Sequence, residues 1–150
     1  MKKLIKATVL LAVISTLAAC GEKPSVVISA CNIEAISNAG NPGEAKVVLS
    51  RGAKTDVTGW IADVATSKTP EKVSLTLVGE DGHVYGLGES EVNVIRTDVS
   101  KVFAKSIDKS GFSLKGDVSG VPLGLYTIQL AGTFEDRVGV CASAKQIEVQ

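Results

Sequence analysis

The chain has 150 residues with 16 basic and 16 acidic side chains, so its formal net charge is zero. That balance argues against nucleic-acid binding, which needs a basic excess to displace counterions from phosphates. A hydrophobic fraction of 45% argues against wholesale disorder, and one His, one Trp and one Met leave little material for a metal cluster or a His-based catalytic site. We therefore expect one small domain, preceded by a distinct N-terminal segment.

The N-terminal segment has the charge and apolar pattern of an export signal. Lys2, Lys3 and Lys6 give it a positive start, and the apolar run over residues 4–19 follows. This run is too short for a bilayer core, which needs roughly 20 residues, but it suits the central region of a secretory signal. Small residues then precede a cysteine in Leu17-Ala18-Ala19-Cys20.

This arrangement resembles the bacterial lipoprotein signal with its lipobox. The resemblance implies cleavage before Cys20 and acylation of its thiol and amine with diacylglycerol and palmitate. Gly21 follows where Asp would favour retention, which by analogy indicates the outer membrane. We predict a signal peptide over 1–19, a lipidated tether over 20–24 and one domain over 25–150. The alternative is an ordinary signal peptide that happens to end near a cysteine.

Removal of the signal peptide changes the charge and the cysteine count. It takes away Lys2, Lys3 and Lys6, which leaves 13 of the 16 basic groups against 16 acidic groups. With Cys20 assigned to lipid, Cys31 and Cys141 are left as a pair in an oxidising compartment, where disulfides persist. We predict a structural disulfide between them. The alternative, a redox-active or metal-binding thiol pair, has no CxxC spacing and no nearby His to support it.

Eight short segments of the mature chain have the composition and alternation of β-strands, with turn residues between them. The clearest hairpin signal is Asp81-Gly82, between an alternating run and its return strand. The predicted strands are 25–31, 46–50, 55–64, 73–78, 83–87, 112–115, 125–130 and 138–149.

One segment departs from the strand pattern. Val99, Val102 and Phe103 recur at helical spacing, and Thr97 or Asp98 can cap the start of a helix. We therefore predict one short connecting helix of about two turns at this point.

The number and spacing of the strands predict an all-β fold, a β-sandwich of seven or eight strands with one short helix. Gly59-Trp60, Arg96-Thr97-Asp98-Val99, Gly111-Phe112 and the turn-then-Tyr segment 122–126 resemble bacterial Ig-like envelope domains, over most of residues 55–149. This resemblance implies that the sandwich is Ig-like. That family carries no single activity. A disulfide between the first and last strands also differs from the usual B–F bridge of Ig domains.

The sequence offers little catalytic chemistry. His83 is the only imidazole, and its position after Asp81-Gly82 favours a solvated residue at a strand start. Catalysis would need a partner within hydrogen-bond reach. The carboxylates are scattered, and there is no nucleophile elbow, EF-hand, Walker loop or zinc spacing. We expect no enzymatic activity, no metal and no cofactor.

Three side chains are candidate contacts for a ligand or partner. Trp60 could stack on a sugar ring or anchor a protein if exposed, although its size and its neighbour Gly59 favour the core. Tyr85 is a second candidate platform for a sugar. Arg96 could present its guanidinium to a partner, although pairing with a nearby acid is the simpler interpretation.

The leading functional hypothesis is a non-enzymatic lipoprotein of the bacterial cell envelope that binds another protein or supports an assembly. It would be anchored in the bilayer, in the outer membrane, facing the periplasm or the surface. The alternatives are a carbohydrate-binding module for cell-wall or surface glycan and an inhibitor of a lysozyme-like hydrolase.

Overall fold

The computed structural model describes residues 21–40 and 43–150. The predicted signal peptide and the predicted lipidation site Cys20 lie outside the described residues.

The described chain consists mainly of β-strands and contains one short helix, as predicted. The elements are β1 Ser25–Val27, β2 Ala30–Ile36, β3 Lys46–Leu49, β4 Lys54–Ala62, β5 Lys72–Gly79, β6 Val84–Val94, α1 Thr97–Phe103, β7 Gly111–Asp117, β8 Gly124–Thr133 and β9 Val138–Val149.

The strands form one curled, mixed sheet in the order β1-β9-β8-β5-β6-β7-β4-β2, with β3 beside β9. β1 and β3 pair with β9 in parallel, and the remaining pairs are antiparallel. β6 belongs to both halves of the sheet, because its first part pairs with β5 and its last residues pair with β7. One buried core takes residues from both halves, so the sheet curls around it.

The strand count differs from the prediction at the start of the domain. The predicted first strand, 25–31, is two strands with different neighbours. Ile28 N still donates to Val140 O at 2.8 Å beside β9, whereas Ala30 already pairs with Ala62 of β4. The chain crosses from one half of the sheet to the other at Ser29, and the described chain therefore has nine strands.

Alternation along the strands builds the core. In β4, Val57 and Ile61 are fully buried, and in β8 Ile128 and Leu130 are fully buried. Each such side chain contributes about 1.5–3 kcal/mol relative to an exposed one. Gly59 lies on the same face as Val57, where a Cβ would meet the backbone of β2. A glycine at this position lets β2 and β4 approach closely.

The predicted disulfide is present. Cys31 of β2 and Cys141 of β9 are bonded, with Cα atoms 6.3 Å apart and a sequence separation of 110. β2 and β9 are not hydrogen-bonded neighbours in the described sheet. The bond therefore joins two strands that backbone pairing leaves separate.

The strand directions give the molecule two ends. The lower end is formed by residues 23–24, 63–71 and 134–137, since Ser25 pairs with Val138 and Lys72 with Thr133. The upper end is formed by residues 50–53, 80–83 and 118–123, since Lys54 pairs with Asp117 and Gly79 with Tyr126.

Removing the disulfide should destabilise the fold. The variant C31A/C141A should lose up to about 4.7 kcal/mol of unfolding free energy, because closing a loop of this length restricts the unfolded chain. Urea unfolding followed by circular dichroism measures the difference. Reduced wild-type protein is the control and should show the same loss. An unchanged midpoint in both samples would show that core packing alone holds β2 to β9.

Candidate functional site

The upper end carries an apolar surface patch. Val84 and Leu123 are 59% and 60% exposed, and Val78 and Leu125 are half-buried. Val78 lies directly opposite Val84 across the β5–β6 pair. A depression of ≈ 250 Å³ beside Leu123 is also lined by the turn at Glu80. We call Val78, Val84, Leu123 and Leu125 the upper patch.

Tyr126 fixes the turn that presents Leu123. Its hydroxyl donates to the carbonyl oxygen of Pro122 at 2.8 Å, while its ring is buried. Burial raises the pKa of Tyr126, which keeps the hydroxyl a donor at neutral pH. Tyr85 packs edge-to-face on this ring, with centroids 5.7 Å apart. The candidate platform Tyr85 is thus half-buried and supports the upper end from the core side.

His83 lies in the exposed turn of the upper end, as the sequence predicted. Its Nδ1 is 2.9 Å from Asp81 Oδ2, and its backbone N–H donates to Asp81 Oδ1 at 3.0 Å. These hydrogen bonds lower the pKa of Asp81, the backbone bond contributing most. Asp81 therefore organises the turn between β5 and β6. Both side chains are more than half exposed, so this contact is solvated.

Trp60 is neither fully exposed nor part of the main core. It is half-buried and lies outside the main core, in a smaller cluster with Ala62, Val99 and Ile107. Its ring meets Phe103 edge-to-face at 5.7 Å. Trp60 therefore seats α1 on the outer face of β4. Strand alternation explains this, because Val57, Gly59 and Ile61 take the inner face.

Arg96 pairs with two acids. Its guanidinium donates to both carboxylate oxygens of Glu34, at 2.7 and 2.9 Å, and to both of Asp98, at 2.6 and 2.9 Å. The hydrogen bonds from Arg96 lower the pKa of Asp98 to about 2. These contacts occupy the guanidinium and tie the start of α1 to β2.

The predicted helix cap is wrong. The helix begins at Thr97, so Arg96 occupies the N-cap position and makes no side-chain capping bond. The reason is the ion pair, because the Asp98 carboxylate is turned towards the Arg96 guanidinium.

The sequence analysis missed one charged cluster at the lower end. Arg137 donates to Asp63 Oδ2 at 2.6 Å and to the Thr66 hydroxyl at 3.1 Å. Burial raises the pKa of Asp63, but hydrogen bonds from Thr66 and Arg137 outweigh that effect and lower the pKa below its ordinary value. Asp63 and Arg137 lie 74 residues apart, so no local motif pointed to the pair.

The described residues contain no group of three or more His, Cys, Asp or Glu side chains arranged to hold a metal ion. Among those same residues, no helix is both long and apolar enough to cross a membrane.

Comparison with known proteins adds no relative. No protein-family model matches the chain, and no curated protein matches it significantly. The function is therefore argued from the chain's own residues.

The Asp63–Arg137 pair should make stability depend on pH. The pKa of Asp63 is lowered in the folded state. Its carboxylate therefore stabilises the fold above the unfolded pKa near 3.9, and this stabilisation is lost as pH falls through the folded pKa. Asp63→Asn should therefore lower the thermal midpoint at pH 7 and have little effect once pH falls below the folded pKa of Asp63.

Thermal unfolding across this pH range measures the effect. Asp136→Asn is the matched control, because Asp136 contacts the same arginine from an exposed position. A loss of stability in Asp63→Asn that does not vary with pH would contradict the assignment.

Proposed function

We propose that this protein is a lipid-anchored lipoprotein of the bacterial cell envelope, with no enzymatic activity, whose domain binds another protein through the upper patch. The N-terminal export pattern and its Cys20 support the anchor. The disulfide supports export, because such bonds persist in oxidising compartments. By the same analogy as before, Gly21 favours the outer membrane.

We also propose an Ig-like β-sandwich for the domain. The order β2-β4-β7-β6 corresponds to an ABED sheet, and the order β9-β8-β5 corresponds to a GFC sheet. The hydrogen bond from Tyr126 to Pro122 O, at the start of β8, corresponds to the tyrosine corner of strand F. The disulfide differs from that pattern, since it joins the first sheet to β9 at an edge.

The observation that carries the binding role is the position of the upper patch. The described chain begins at the lower end, so an anchor that precedes it would leave the upper end facing away from the membrane. Exposed Val84 and Leu123 lie there beside a hairpin turn organised by Asp81 and on a turn held by Tyr126. Apolar side chains on a preorganised surface are typical of protein-binding sites.

Glycan binding and inhibition of a lysozyme-like hydrolase are the alternative proposals. Glycan binding requires an aromatic face for the sugar. Trp60 and Tyr85 are half-buried and each packs edge-to-face on another ring, which reduces the surface free for stacking. An inhibitor would share the upper patch as its contact surface, so a panel of lysozyme-like enzymes distinguishes it from an envelope partner.

The anchor predicts a defined mass for the protein purified from its native membrane. The chain should begin at Cys20 and carry acyl mass there, and Cys31 and Cys141 should react with an alkylating agent only after reduction. Intact mass spectrometry with and without reductant measures both. The mass of an unacylated chain, or three thiols that react at once, would contradict the proposal.

The upper patch predicts a specific cross-link. A photo-reactive residue at position 125 should capture an envelope protein in living cells. Leu123→Asp should weaken the captured partner's affinity for the purified protein about tenfold or more, as loss of an interface anchor does. Binding is measured by interferometry in detergent.

Val102→Asp is the matched control, because it adds the same charge at an exposed valine away from the upper patch and should leave affinity unchanged. Equal loss in both variants, or no loss in either, would contradict a binding site at the upper patch.

A further inference from the structure

Exposed apolar side chains are concentrated away from the upper patch. Five of the seven exposed large hydrophobic residues of the described chain lie in β1, in α1, and at or just after the end of β6. The most exposed of these five are Val27 at 91%, Val102 at 78% and Ile95 at 58%. We call Ile95, Val102 and the neighbouring lysines, Lys101, Lys105 and Lys109, the helix face.

The helix face adjoins the lower end through a continuous set of contacts. Val64 and Ala62 pack in the cluster that holds α1. Asp63, between them, bonds to Arg137 of the lower-end loop 134–137. α1 therefore lies beside the loops of the lower end, where the described chain begins.

The first contacts with the domain are made by Lys23 and Pro24, close to the start of the described residues. The side chain of Lys23 donates to Phe134 O at 2.7 Å, and Val138 N donates to Pro24 O at 2.9 Å. Only Gly21 and Glu22 separate Lys23 from residue 20. Three residue steps span at most about 11 Å, which is comparable to the depth of one headgroup layer. A lipid on residue 20 would therefore hold the lower end at the membrane surface.

The charge of the helix face complements an anionic surface. Lys101, Lys105 and Lys109 are all exposed, and Asp108 is the only acid from residue 99 to residue 110. The nearby Arg96 is already paired with acids. Each lysine near an anionic leaflet strengthens attraction about fivefold.

From these observations we propose that the helix face lies against the lipid bilayer, with Val102 and Ile95 at the headgroup level and the three lysines on anionic headgroups. This inference rests on the proposed lipid anchor. It adds an orientation of the domain, in which α1 faces the membrane and the domain does not rotate freely on its tether. The upper patch then faces away from the bilayer.

Depth-dependent fluorescence tests the orientation. Trp60 is the only tryptophan, so Trp60→Phe gives a dark background for a reporter at a chosen position. The acylated full chain is reconstituted into vesicles of phosphatidylethanolamine and phosphatidylglycerol with brominated acyl chains. Emission from Val102→Trp should be quenched, whereas emission from Leu123→Trp, the matched reporter in the upper patch, should not. Salt at 1 M, where the screening length is about 3 Å, should weaken the quenching.

A charge-reversal variant tests the role of the lysines. K101E/K105E/K109E should abolish the quenching of Val102→Trp. R51E/K54E/K115E, which changes the same charge at exposed residues in or near the upper end, should not. Hydrogen exchange of the amides of α1 in the wild-type chain, slowed by vesicles, gives the same answer without Trp60→Phe.

The outcomes separate this inference from the proposed function. A chain without acyl mass contradicts the anchor, and the orientation falls with it. An acylated chain that sediments with vesicles while Val102→Trp stays unquenched overturns the orientation alone. Equal quenching at positions 102 and 123 overturns it as well, since the domain would then have no preferred face.

Discussion

The bond between Cys31 and Cys141 is the constraint on which the shape of the domain depends. β9 pairs with β1 along its first residues and with β3 along its last, and within residues 21–40 and 43–150 the stretch between them has no strand partner on that side. β2 approaches this stretch, and the disulfide holds it there. Lys145, in the same stretch, is buried and donates to Glu44 O at 2.7 Å. Covalent and side-chain contacts thus replace backbone pairing at this point.

The two halves of the sheet are also joined at β6, by backbone pairing instead of a disulfide. β6 passes from one half of the sheet to the other, and its register with β5 shifts by one residue around Leu87. Gly88 has a positive φ of 157°, and a Cβ there would lie 2.6 Å from the carbonyl oxygen of Lys115. A glycine is therefore required where β6 turns against β7. The bulge lets β6 continue from one half of the sheet into the other, and the disulfide joins the two halves at β2 and β9.

The sequence predicted the local features well, because they depend on neighbours in the chain. The Asp81-Gly82 turn, the helix over residues 97–103 and the strand at 125–130 all follow from short-range patterns. The disulfide also followed, since the cysteine count left one pair. The split at Ser29 could not be predicted, because an apolar run is equally compatible with one strand or two.

The candidate functional residues likewise divide into those that local sequence patterns predict and those that only the fold brings together. The pairing of Arg96 with a nearby acid was one interpretation of the sequence, but its second partner Glu34 lies 62 residues away and comes from the fold. The Asp63–Arg137 pair and the upper patch depend on contacts between distant loops, which no local motif encodes. For Trp60 the sequence left an exposed and a core position open, and the fold resolves this because α1 covers the outer face of β4, where Trp60 lies.

The proposed anchor and the proposed binding site are assigned to opposite ends of the domain because of one observation, the contact of Lys23 with the lower end. A longer free tether would let any face meet the membrane, and exposed apolar residues would then carry no information about direction. With two residues between Lys23 and residue 20, a lipid on residue 20 would hold the lower end near the membrane, and α1 with its lysines close to it. Val84 and Leu123 lie at the opposite end, at the start of β6 and directly before β8. On this proposal, a surface that binds a protein and a surface that rests on lipid do not compete within one small domain.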